Sequence, residues 1–217
     1  MNLIRLTFMF LINLLKTIFY ISFILIPNIL LSQPINIKLT SQDNNDLQRI
    51  ETHLNSIKSM RADFLQVSST GVVATGKLLM SRPGKIRFEY DPPSPILLIA
   101  DGVYLRYIDK DLKQVTHLWQ EDTPVSVLVK QNIKLSDDIT VTALSRGAKT
   151  LAVTLTKSKN PENGSIKMVF TDSPLSLRKW VVLDPQGIKT TITLYKTERS
   201  VKIDPKLFEF NGLEQTE

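Results

Sequence analysis

The chain has 217 residues, with 27 Lys and Arg against 21 Asp and Glu, a formal net charge of +6 at pH 7. The basic residues are scattered, and no basic stripe with aromatic platforms marks a nucleic-acid footprint. There is no cysteine, which excludes disulfides, thiol chemistry and a lipid-anchored cysteine, while the length suffices for a domain that stands on its own core.

Arg5 and Lys16 are the only charges before Lys38, and Leu6 to Leu31 is otherwise largely apolar. A basic start, the apolar stretch Thr17 to Ile26 and a small residue at Ser32 read as a secretory signal peptide over 1–32. An uncleaved anchor is the alternative, since a bilayer needs ~20 apolar residues. Lys16 splits the run and favours cleavage. That leaves one exported domain, 33–217, with a net charge of +4.

Residues 33–45 read as a polar arm. In "DLQRIETHLNSIKSM", Leu47, Ile50, Leu54 and Ile57 recur at spacings of three and four, which predicts a helix with one apolar stripe, capped by Asn45 or Ser41. From Arg61 the period becomes two. "RADFLQVSS" and "VVATGKLLMS" form a hairpin around Ser69-Thr70-Gly71. Strands follow at Lys85–Tyr90, Pro95–Asp101, Val103–Ile108 and Gln114–Trp119. "DTPVSVLVKQN" interrupts them as a short helix, with Thr123 as N-cap, Pro124 at the first helical position and Val125, Leu128 and Val129 as its apolar face. Strands resume at Ile139–Ser145, Thr150–Thr156, Ser165–Thr171, Leu177–Leu183 and Lys189–Lys196, and "IDPKLFEF" docks Leu207, Phe208 and Phe210 as an extended segment.

About ten short antiparallel strands with one long and one short helix predict a mainly β fold, a curved sheet or open barrel. Alternation is clean in Leu151/Val153/Leu155 and Ile166/Met168/Phe170, so one face is apolar and the helices are its natural cover. His53 and His117 are isolated, and neither HExxH nor GxSxG occurs. Asp91, Asp109, Asp111, Asp172 and Asp184 sit in turns, where aspartate accepts hydrogen bonds from its own backbone. Neither a metal site nor an enzyme is expected.

"DFLQ", then "GKLLMSRPGKIRFEYDPP" and "ILLIADGVYLRYIDKDLKQV", closely resemble the outer-membrane lipoprotein carrier (LolA) family, and "TPVSVLV" and "DPKLFEF" fit its lid helix and closing segment. The resemblance implies an unclosed antiparallel β-barrel of about ten to eleven strands under a helical lid. It implies a monomeric periplasmic chaperone without cofactor. Such a carrier takes acylated lipoproteins from an inner-membrane ABC transporter and delivers them to the outer membrane or to an acceptor there. The alternative is a lipid- or lipoprotein-binding sensor or acceptor of the same fold.

On that reading Leu47, Ile50, Leu54, Val125, Leu128 and Val129 form the lid, although an apolar stripe more commonly completes a core. Phe64, Leu78, Met80, Phe88, Tyr90, Leu97, Ile99, Leu105, Tyr107, Trp119, Val153, Met168 and Trp180 wall the lipid cavity, their faces depending on strand phase. Arg82 matches the family's arginine before proline that latches the lid. Read without the resemblance, Arg82 is a rim residue whose stem covers apolar surface.

Overall fold

The structure is a computed structural model that describes residues 38–136, 138–210 and 212. The signal peptide expected over 1–32 lies outside the described residues.

Helix α1 spans Ser41–Ser56. Its cap is Thr40 rather than Asn45 or Ser41: the Thr40 hydroxyl accepts from the Asp43 N–H, and the Asp43 carboxylate accepts from the Thr40 N–H. This reciprocal box satisfies two backbone donors that the first turn would leave orphaned. It draws residues 41–45, expected as arm, into the helix. Leu47, Ile50 and Leu54 lie on one face and are buried.

Eleven strands follow: β1 (Ser59–Ser68), β2 (Val73–Ser81), β3 (Lys85–Tyr90), β4 (Ile96–Asp101), β5 (Tyr104–Asp109), β6 (Gln114–Trp119), β7 (Ile139–Arg146), β8 (Thr150–Lys157), β9 (Ser165–Asp172), β10 (Leu175–Leu183) and β11 (Lys189–Arg199). They form one antiparallel sheet in the order β6-β5-β4-β3-β2-β1-β11-β10-β9-β8-β7. Every neighbour but one is a hairpin partner. The exception is β1 against β11, which joins the two halves. Strands β6 and β7 are the two edges, so the sheet is not closed.

The sheet curves strongly. Phe88 of β3 and Trp180 of β10 meet edge-to-face at 6.4 Å, although four strand steps separate them, roughly 19 Å across a flat sheet. Phe64 links the row, meeting Phe88 at 5.4 Å and Tyr90 at 5.2 Å, both edge-to-face. Aromatic pairs of this geometry contribute about 0.5–1.5 kcal/mol beyond their area. Ala62, Leu78, Phe88, Leu98, Tyr107 and Thr116 stand opposite one another in register across β1 to β6 and define the concave face.

Register settles the strand phases. Phe64, Leu78, Met80, Phe88, Val153, Met168 and Trp180 are buried in the main core on the concave side, with Tyr90 and Leu105 half-buried against it. Leu97 and Ile99 belong to the opposite face, where they pack with Ile108, Val115 and Phe210. Trp119 pairs with Tyr104, which puts it on that outer face and leaves it 54% exposed. These three are therefore not on the concave wall: β4 starts at Ile96, so Leu98 and Ala100 point inward instead. Tyr107 is on the concave side but 42% exposed.

The second helix, α2, is one turn, Ser126–Val129, entered after a 3-10 turn over Gln120–Asp122. Its N-cap is Val125, not Thr123, whose hydroxyl donates back to the Gln120 carbonyl at 2.8 Å instead of accepting from the helical turn. Val125 is half-buried outside the turn, while Val127 joins Leu128 and Val129 in the core. Near the C-terminus Pro205–Phe208 forms a 3-10 turn rather than an extended segment; Phe208 is buried and Leu207 is 41% exposed.

Candidate functional site

Arg82-Pro83-Gly84 turns the chain from β2 into β3 and lies against both helices. The Arg82 N–H donates to the Lys58 carbonyl at 2.9 Å, which fixes the start of the turn. Gly84 sits at φ +79°, and a Cβ there would approach the Gly102 Cα to 2.6 Å, so the position needs glycine. Its N–H donates to the Val129 carbonyl at 2.8 Å.

From this anchor the Arg82 guanidinium reaches both parts of the cover. Nε donates to the Leu128 carbonyl of α2 at 2.8 Å, and Nη1 donates to the Leu54 carbonyl of α1 at 2.7 Å. Leu54 lies in the last turn of α1, where its carbonyl accepts only the Ile57 N–H from the described backbone, at 3.2 Å, and the helix dipole is negative. A planar fork with fixed donors suits two carbonyls approaching from different elements. Burial pulls the Arg82 pKa down to about 10, so the group remains a cation at neutral pH. The rim reading, with the head in water, does not describe this arrangement.

Polar ties that sequence reasoning did not single out hold α1 elsewhere. Asn55 mimics a strand partner: its Nδ2 donates to the Ile133 carbonyl at 2.9 Å, and its Oδ1 accepts from the Ile133 N–H at 2.8 Å. Glu51, one turn back, accepts from the Leu135 N–H at 2.6 Å. Their spacing of four residues marks a common helix face, but nothing local names segment 133–135 as the partner. Asp46, buried on α1, accepts from Arg49 at 2.8 Å and Arg146 at 2.7 Å, and Arg146 also reaches Asp43 at 2.7 Å. Arg49 continues to Asp172 at 2.8 Å.

Leu47, Ile50, Leu54, Val127, Leu128 and Val129 all belong to one buried cluster with the concave sheet. The joint between Val127 and Leu155/Ile166 leaves a space of about 10 Å³, enough for one water and not for a hydrocarbon chain. Beyond the helices, the concave side of β3 to β6 keeps an apolar lining of Tyr90, Leu98, Leu105, Tyr107 and Leu118, of which Tyr107 and Leu118 are exposed. Tyr90 donates to Gln66 at 2.6 Å, and burial, with Tyr107 nearby, raises its hydroxyl to about 12.

Among the described residues, no cluster of His, Cys, Asp or Glu is built to hold a metal. Also among them, no helix is long and apolar enough to cross a membrane. Asp101, Asp109 and Asp184 each accept two backbone N–H groups within their turns, as their positions predict.

The family profile described as "Outer membrane lipoprotein carrier protein LolA" matches residues 55–211. The chain belongs to the LolA family. The match runs from the last turn of α1 through every strand to the closing segment, so it contains Arg82 and its partner Leu128, while Leu54 stands one residue before it. An outer-membrane lipoprotein carrier protein of Legionella pneumophila (strain Lens) is 29% identical over 170 residues, covering 75% of this chain and 83% of its own. An uncharacterized protein of Rickettsia prowazekii is 25% identical over 179 residues, covering 82% of this chain and 83% of its own. A solved structure of a LolA superfamily protein from Nitrosomonas europaea shares 9% identity at a TM-score of 0.45, over 76% of this chain and 97% of that one. Membership in the LolA family, with its unclosed antiparallel sheet, points to lipoprotein or lipid binding and to a carrier role.

Proposed function

We propose that the chain is a periplasmic carrier that binds the acyl chains of lipoproteins against the concave side of its sheet. It receives them at the inner membrane from an ABC transporter and delivers them to the outer membrane or an acceptor there, residues 1–32 serving as the export signal. The observation that carries this reading is the pair of hydrogen bonds from Arg82 to the Leu54 and Leu128 carbonyls, which ties two helical elements over an apolar concavity with one side chain.

The physics of release favours such a cover. A lipid chain gains about 0.8 kcal/mol per buried methylene, so an open pocket would hold its cargo too well. Six cover side chains at about 2 kcal/mol each are worth roughly fifteen such methylenes. Cover and acyl chain therefore compete on even terms, and the apparent affinity falls with the fraction of carrier that is open. Arg82 adds polar bonds to the closed state alone. The lid and cavity-wall roles belong to this proposal, as does the latch.

The test is to load Arg82→Leu with an acylated lipoprotein and measure transfer to outer-membrane vesicles. A folded variant that accepts lipoprotein but retains it is the expected result. Transfer at the normal rate would sink the latch.

A further inference from the structure

The convex side of β7 to β10 carries a groove of about 510 Å³ that the carrier reading does not use. Its floor includes Ala152, Val169 and Val181, and Lys167, Arg178, Lys179 and Arg146 line it without any Asp or Glu. Arg146 is already engaged by Asp43 and Asp46. Lys167, Arg178 and Lys179 are exposed, and no hydrogen bond or ion pair to another described residue occupies their side chains.

The local backbone explains how two adjacent residues of one strand both reach this face. Register shifts between Leu177 and Lys179 where β10 pairs with β9. Leu177 and Trp180 stay in the core, so the extra residue puts Arg178 and Lys179 side by side outside. A β-bulge is a specific device for re-aiming a side chain. Here it replaces alternation by a doubled cation, with Lys167 of the neighbouring strand diagonal to Lys179 and directly opposite Val181. Three uncompensated cations gathered by a bulge in a walled groove make a surface complementary to negative charge.

We propose that this groove docks an acidic, extended segment of a partner protein. A membrane surface is the weaker fit, because adsorption to a bilayer draws on apolar anchors as well as charge. None of the exposed large apolar residues lies among the groove-lining residues. The inference stands apart from the carrier reading, since it concerns the opposite side of the sheet.

The experiment titrates the full chain with a fluorescein-labelled decapeptide of Glu and Asp. A Lys-rich decapeptide and phosphatidylcholine vesicles containing phosphatidylglycerol are run in parallel. The acidic peptide should bind, weaken as salt rises, and perturb the amide signals of residues 167–169 and 178–181. Arg178→Glu with Lys179→Glu should weaken binding at least tenfold while the unfolding midpoint holds. If that variant unfolds, Arg178→Gln with Lys179→Gln replaces it, with at least threefold weakening expected. Equal binding by wild type and variants overturns the proposal. So does vesicle binding that depends on Arg178 and Lys179 without peptide binding, which would assign the groove to a membrane.

Discussion

Arg82 and Leu54 are joined by a hydrogen bond of 2.7 Å between a guanidinium and the last turn of α1, and the same guanidinium holds Leu128 of α2. One side chain thus fastens two elements that are 74 residues apart at those carbonyls. Arg82→Lys should keep the charge and lose the fork. Hydrogen bonds to a charged group contribute about 1.5–3 kcal/mol each net of exchange with water, and an ammonium in place of the fork keeps part of that. Amide exchange in residues 54–57 and 128–130 should accelerate five- to thirtyfold in Arg82→Lys, with the sheet amides unchanged. Uniform acceleration across the protein would show a global rather than a local fastening.

Ile50 is fully buried where α1 meets the sheet. Ile50→Ala should cost about 2–4 kcal/mol in the closed state, as large-to-small core changes do. If α1 competes with acyl chains, the same change should raise affinity for a fluorescent fatty acid. If α1 only completes a core, stability drops and fatty-acid binding stays as it was. The two readouts, measured on one variant, separate a lid from a structural helix.

The Asp43–Asp46–Arg146 cluster gives stability a defined pH dependence. Hydrogen bonds from Thr40 and then Arg146 hold Asp43 down at about 2, and Arg146 and Arg49 lower Asp46 against the opposing effect of its burial. A carboxyl whose folded pKa is depressed contributes stability above its unfolded value, 3.8, and loses it as pH falls through the folded value. Unfolding midpoints should therefore fall as pH drops from 4 toward 2. Asp46→Asn should flatten part of that slope while lowering stability at pH 7. A slope unchanged in Asp46→Asn would place the linkage on other carboxylates.

Two tryptophans should behave differently. Trp180, 1% exposed, fills the concave core, and Trp180→Ala should cost about 3–5 kcal/mol. Trp119 stacks on Tyr104 at 4.7 Å but is half in water on the outer face, so Trp119→Ala should cost under about 1 kcal/mol. Chemical denaturation of both variants checks the face assignment directly. A large loss from Trp119→Ala would contradict it.

Most strands and both helices were legible in the chain because their signals are local. The stripe Leu47/Ile50/Leu54 and the alternation in β8 and β9 state which face is greasy. Where no period was available the reading slipped. In "ILLIAD" and "QVTHLW" apolar residues lie on both faces, so Leu97, Ile99 and Trp119 were placed inward by size alone. A one-residue phase decides such a strand, and pairing to Phe88 and Tyr107 decides the phase. Val127 was missed because α2 is a single turn without a stripe, and all four of its residues are buried.

By itself, then, the sequence determined the alternating strands, the turns between them, the apolar helix and an arginine placed just before proline, all features set within a few residues by backbone sterics and hydrophobic period. Only the tertiary structure decided what that arginine holds. The partners of Arg82 are backbone carbonyls, and every residue type carries one, so no residue code marks them. Leu54, Leu128, Ile133 and Leu135 became hydrogen-bond partners because a curved sheet brought them within 3 Å of Arg82, Asn55 and Glu51. Such contacts are fixed by where the elements pack, a sum over many long-range burials that no short stretch of chain encodes.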